Sequence, residues 1–182
     1  PYYTVRILKI LSQYNVHATF FVTGQYVRKN PALLKAILNQ GSAIANHTYH
    51  HSNLTTVTVD KMQHEVMKAN RLIYRITGLH PRCFRPPYLA INNQVTEFIT
   101  SHHFAIIMGQ SSDDYIQMGA DKLAKRVIDM IKPGSIIILH DGYLRREQTV
   151  AALPTIIEGI EEKGLGFSTL CKQPRQETRP NQ

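Results

Sequence analysis

The chain has 182 residues, 43% of them hydrophobic and 19% charged, which is the balance of one globular domain large enough for a core. No apolar run approaches the ~20 residues that span a bilayer, and the N-terminus lacks the charged-then-apolar plan of a signal peptide. A formal charge of +8 raises nucleic acid as a partner, but pairs such as Lys125-Arg126 and Arg145-Arg146 never extend into a run, and no nucleic-acid motif accompanies them.

Residues Tyr3 to Tyr14 carry Val5, Ile7, Leu8, Ile10 and Leu11 at helical spacing. His17 to Thr23 is β-branched and aromatic and stops at Gly24, which predicts a strand. Asn30-Pro31 is a cap followed by an N1 proline, so a second helix runs to about Asn39. Gly41 breaks it, and Ser42 to Asn46 reads as the next strand. Thr58 to Thr77 is a longer helix with Met62, Val66 and Ile73 inward, ended by Gly78. Arg82 to Arg85 is a short strand stopped by Pro86-Pro87.

Downstream, Asn92 to Ser101 is a helix, Phe104 to Met108 a strand, and Ala120 to Ile131 a helix. Ser135 to Leu139 is a continuous apolar run of the kind buried on both faces. Gln148 to Lys163 is the last helix and Phe167 to Leu170 a final strand, leaving a polar tail, 172–182, that reads as disordered. The alternation predicts an α/β fold with a parallel sheet, open or closed as a barrel. Cys83 and Cys171 lie far apart without metal spacing; they could pair only if the fold brought them together, and each reads as a buried thiol rather than half of a bridge. No feature of the sequence bears on oligomeric state.

In such folds chemistry gathers at the C-terminal ends of strands. Four polar clusters fall there: His47 to His51, Arg85 to Tyr88, Asp113-Asp114 and His140-Asp141. His47 and His51 are four apart, so one helical turn would set both imidazoles on one face, as a bound cation requires. No acidic residue precedes Asp60, so a carboxylate partner for them must come from far along the chain or from other sequence. His140 follows the most apolar strand, where a carboxylate such as Asp114 would hold it as imidazolium, a general acid. Asp113-Asp114 could equally be ligand, base, orienter or loop cap. Arg85 could pair with a carboxylate or simply lie on the surface, and the Tyr88 N–H could donate to an oxyanion or belong to a plain turn. His17, His50, His64, His80, His102 and His103 have no such context and read as non-catalytic.

Together these stretches resemble the polysaccharide deacetylase family, the NodB-homology domain of carbohydrate esterase family four, from Tyr3 to about Leu170. The family's second motif, which opens on His-Ser/Thr and closes on a histidine, is matched by His47-Thr48 through His51. Its third, Arg-Pro-Pro-Tyr-Gly, appears as Arg85-Pro86-Pro87-Tyr88-Leu89. Its fourth, Asp-x-x-Asp-Trp, appears as Ser111-Ser112-Asp113-Asp114-Tyr115, and its fifth ends in Leu139-His140-Asp141. The first motif, Thr-Phe-Asp-Asp-Gly-Pro, has no counterpart. Pro1-Tyr2-Tyr3-Thr4 looks like the residues just after it, so the domain, 1–171, reads as lacking its first strand, an expectation that includes an exposed sheet edge.

The resemblance implies a distorted (β/α) barrel and metal-dependent hydrolysis of N-acetyl groups on an amino-sugar polymer or oligomer. It implies a divalent cation, zinc, on His47, His51 and an aspartate of the absent motif. It further implies His140 as acid held by Asp114, Arg85 beside the base, the Tyr88 N–H at the oxyanion, and Ile138 and Leu139 lining a methyl pocket. An N-acetylated glycan is the implied partner and the cell envelope or exterior the implied place. A carbohydrate-binding relative without activity, and an O-acetyl esterase acting on xylan, are the alternatives.

Overall fold

Helix ends fall where side chains can serve loose backbone groups. A computed structural model of the chain describes residues 2–142 and 145–171. Helix α4, Val59–Thr77, starts where Thr58 accepts the Lys61 N–H, and stops at Gly78, whose φ of 71° is the left-handed cap that favours glycine. Pro31 opens α3, Pro31–Asn39, and Asn92 caps α5, Asn93–Ser101, by accepting the Val95 N–H. The remaining helices are α1, Tyr2–Gln13, α6, Ala120–Met130, and α7, Glu147–Glu162. Sequence spacing predicted all of these to within a residue or two. Helix α2, Gly24–Lys29, was not predicted, because Gly24 reads as a strand stop and the helix is too short to show a period.

The strands are β1, Thr19–Val22; β2, Ala43–Asn46; β3, Cys83–Phe84; β4, Ala105–Ile106; β5, Gln110–Ser111; and β6, Ile137–Ile138. Among the described residues all pairs run parallel, as a four-stranded sheet in the order β1-β2-β3-β4 and a two-stranded sheet β5-β6. This is the α/β architecture with parallel strands expected above. Asn46 lies opposite Phe84, and Ser111 opposite Ile138, so the residues after each strand leave the sheets at the same ends.

Two expectations fail here. Residues 167–170 form no strand; the segment is held by a side chain, with the Leu170 N–H donating to Thr19 Oγ1 at 2.8 Å. Cys83 and Cys171 are not separate thiols but a disulfide, their Cα atoms 6.1 Å apart, because that segment returns alongside the sheet. The tail from Lys172 lies outside the described residues.

Among the described residues the apolar faces meet in four clusters. Met62, Val66, Phe84, Val95 and Ile99 join α4, β3 and α5, while Val22, Val27, Leu34 and Ile73 join β1 to α2, α3 and α4. Leu123, Val127, Ala152 and Ile156 join α6 to α7, and Ile7, Leu11, Val150 and Ile157 join α1 to α7. Leu139 touches both of the last two clusters and thereby fixes the strand end that leads to His140.

Candidate functional site

The histidine turn begins at the end of β2. The buried Asn46 side chain donates to Val66 O on α4 and accepts the Thr48 N–H, each at 2.9 Å, so it anchors the turn to the core. Thr48 and His51 then take left-handed backbone angles, φ 66° and 64°, and Thr48 Oγ1 accepts the His51 N–H at 3.0 Å. The expected helical turn is therefore absent: a hydrogen-bonded loop brings His47 and His51 together, with ring centroids 4.7 Å apart at 74°. The first N–H groups of α2, from Gly24 and Gln25, donate to Thr48 O and Tyr49 O. Gly24 permits this approach, since a Cβ there would run into the Tyr49 ring.

His47 Nδ1 lies 2.7 Å from Arg85 O. A carbonyl only accepts, so Nδ1 carries the proton and Nε2 keeps its lone pair. Burial pushes the His47 imidazole down to about 3, against an upward pull from the Arg85 carbonyl, and burial likewise lowers His51. Both rings are thus neutral nitrogen donors at neutral pH. That donor set suits a borderline-soft divalent ion such as zinc, and it fits as part of a site. Among the described residues no third His, Cys, Asp or Glu joins them.

Arg85 is buried, stacks at 3.9 Å over the Phe21 ring and donates through Nε to Ile107 O at 3.2 Å. Burial lowers its guanidinium to about 10, still charged at neutral pH, and among the described residues no carboxylate pairs with it. Tyr88 follows the two prolines with φ 60°, and its exposed ring stands 4.8 Å from that of His51. Leu89, where the third motif has glycine, also holds a positive φ, 55°.

Across the sheets, Asp114 is fully buried and grips His140 twice. Oδ2 accepts the His140 N–H at 2.8 Å, and Oδ1 accepts from Nδ1 at 2.6 Å. The outward His140 nitrogen, Nε2, is left to exchange a proton. Burial pushes the Asp114 carboxyl up, but the bonds from His140 and from Thr149 outweigh it and leave it below the ordinary carboxylate range. The start of α7 supplies the support. Thr149 Oγ1 donates to Asp114 Oδ2 at 2.9 Å, Arg146 Nη1 to Asp114 O at 3.1 Å, and Gln148 Nε2 to Asp114 O at 2.7 Å and Ile116 O at 2.6 Å. His47 and His51 follow the C-terminal end of β2, and His140 that of β6, in sheets whose strand pairs all run parallel.

Asp113 takes another part. It faces α6, paired with Arg126 and accepting from Ser111 Oγ, and so serves as the loop cap. Ile138 is buried, and its neighbour Leu139 is turned to the helices. The residues missed in the sequence are supports: Glu65, Arg146, Gln148 and Thr149. Glu65 had a signal, because it lies three residues after Met62 and beside Val66 on the inward face of α4, an odd place for a carboxylate. His50, read as idle, donates to it.

Residues 1–107 match the model of a family described as polysaccharide deacetylase. The chain belongs to the polysaccharide deacetylase family. It is 36% identical over 172 residues to a peptidoglycan-N-acetylglucosamine deacetylase of Bacillus cereus, covering 92% of this chain and 62% of that relative's length. It is 32% identical to a chitooligosaccharide deacetylase of a Bradyrhizobium strain, covering 93% of this chain and 84% of the relative. Among solved structures, the Bc1960 peptidoglycan N-acetylglucosamine deacetylase superposes with a TM-score of 0.89 at 34% identity, over 92% of this chain and 79% of that one. No helix among the described residues is long and apolar enough to cross a membrane.

Proposed function

We propose that this deacetylase domain hydrolyses N-acetyl groups of an amino-sugar polymer or oligomer, a peptidoglycan or chitooligosaccharide strand, to acetate and the free amine. One observation carries the reading: two neutral imidazoles converge at the same sheet end as a third, His140, which is gripped by a buried carboxylate. His47 and His51 would hold the divalent ion, zinc by family resemblance, which when bound supplies Lewis-acid polarisation of the acetyl carbonyl. The third ligand and the base are, by the same resemblance, the aspartates of a Thr-Phe-Asp-Asp-Gly-Pro strand, a motif this sequence does not contain.

The chain's own residues account for the remaining roles. The Tyr88 N–H donates to the oxygen that gains charge as water adds to the carbonyl carbon. Arg85, buried and without a carboxylate partner among the described residues, offers its positive charge to the base. His140, oriented by Asp114 through Nδ1, delivers the Nε2 proton to the departing amine as the carbon–nitrogen bond breaks. By the same resemblance Ile138 would border the methyl group, whereas Leu139, expected beside it, is turned to α1, α6 and α7 and serves the core instead. The Cys83–Cys171 bond suits a working place outside the reducing cytosol.

The test is acetate release from N-acetylated chitooligosaccharide and from peptidoglycan with zinc present. The 182-residue chain should turn over little, a chain carrying a restored Thr-Phe-Asp-Asp-Gly-Pro strand should turn over well, and His140→Ala should abolish the gain. Full activity of the 182-residue chain refutes the assignment of base and third ligand. Acetate released only from acetylxylan would make the domain an O-acetyl esterase. Glycan binding without hydrolysis after restoration would make it a binding relative.

A further inference from the structure

Glu65 lies on the inward face of α4 with no solvent exposure, yet its carboxylate faces the histidine turn rather than the apolar core. Oε2 accepts the N–H groups of Tyr49 at 3.2 Å and His50 at 2.7 Å, and Oε1 accepts from His50 Nδ1 at 2.7 Å. Lys61, one turn earlier, approaches Oε1 at 3.5 Å. Burying a carboxylate is costly unless its lone pairs are used, and here three protein donors of one short turn use them. The same turn is held from its other side by the Gly24 and Gln25 N–H groups donating to Thr48 O and Tyr49 O. Its conformation is an unusual one, with positive φ at Thr48 and His51, so it persists only where the surroundings over-determine it.

We infer that Glu65 is a positioning residue for the two-histidine site, acting through Tyr49 and His50 to hold the backbone that makes the His47 and His51 rings converge. His50, the third histidine of the cluster, is then the outer arm of this clamp rather than an idle neighbour. The inference rests on the metal reading above and adds a residue from α4 to it.

Zinc uptake by the 182-residue chain, read by competition with a chromophoric chelator, tests it. Glu65→Leu removes every acceptor and should weaken zinc about tenfold, in the range usual for groups that orient metal ligands. Glu65→Gln should recover most of that loss, because one carboxamide oxygen still accepts both N–H groups. Urea unfolding of each variant separates positioning from stability. If the Leu variant fails to fold, His50→Ala carries the test, since its side chain is 46% exposed and its removal spares the core. It loses one arm of the clamp and should bind zinc more weakly, by less than Glu65→Leu would. Unchanged affinity in His50→Ala, or a loss in Glu65→Leu that Gln does not recover, overturns the role. Unchanged affinity in His47→Ala would overturn the metal reading itself, a separate outcome.

Discussion

Replacing Thr149 by valine removes one bond and almost no volume, which makes it a clean probe of the Asp114–His140 grip. The Thr149 hydroxyl and the Asp114 carboxylate are both fully buried, so no water can replace the lost donor. A hydrogen bond to a charged group is worth about 1.5–3 kcal/mol, and leaving a buried carboxylate oxygen short of a donor puts the cost in the upper part of that range. With a urea slope of about 2 kcal/mol per molar, the unfolding midpoint should fall by about 1 M at pH 7. Thr149→Ser keeps the hydroxyl and gives up one methyl, a cost of about 1 kcal/mol or less. The assay is equilibrium urea unfolding of the three proteins. A valine midpoint equal to that of the serine variant would refute the reasoning, since packing and not the carboxylate would then be what Thr149 serves.

Gln148→Ala deletes an amide that also accepts the Met118 and Gly119 N–H groups, at 3.1 and 3.0 Å. Water can reach part of that loop, so the expected loss is about 2 kcal/mol rather than the sum of its bonds, read by the same urea assay. Gly24→Ala should cost about 1–3 kcal/mol by pressing on the Tyr49 ring, and Tyr49→Ser in the same chain should relieve it non-additively, as a double-mutant cycle would show. The metal-free protein should lose stability as pH falls below 6.5 toward 3. In that window the unfolded chain protonates His47, whereas in the folded protein burial keeps its imidazole neutral to about 3. At pH 5 the loss reaches about 2 kcal/mol, and His47→Gln should remove it from the pH dependence of urea unfolding.

What was legible in the sequence was whatever depends on near neighbours. The Asn30-Pro31 opening, the Thr58 cap and the Gly78 stop each place a helix end because the responsible groups lie within a turn of it. Strand ends gave the four polar clusters for the same reason. The route by which His47 and His51 meet was misread, because spacing alone cannot distinguish a helical turn from a loop closed by Thr48 Oγ1. Glu65, Gln148 and Thr149 escaped because their partners, backbone groups or the Asp114 carboxylate, lie 15 to 35 positions away, where no local period reaches. The segment 167–170 has the residues of a strand, but a strand exists only where a neighbour offers its backbone, and here the Thr19 side chain answers instead.

The disulfide divides the site in a way that contact distances do not reveal. Its two ends are 88 positions apart, and the covalent ring they close contains Arg85, Asp114 and His140 while His47, His51 and Glu65 hang outside it. In the oxidised unfolded chain the ring has already given up about 4–5 kcal/mol of loop entropy, which the histidine arm has not. A single proteolytic cut anywhere inside the ring leaves the fragments tethered, so the proton-transfer half outlives a nick that would release the arm. Non-reducing electrophoresis of a lightly digested sample would show that asymmetry directly.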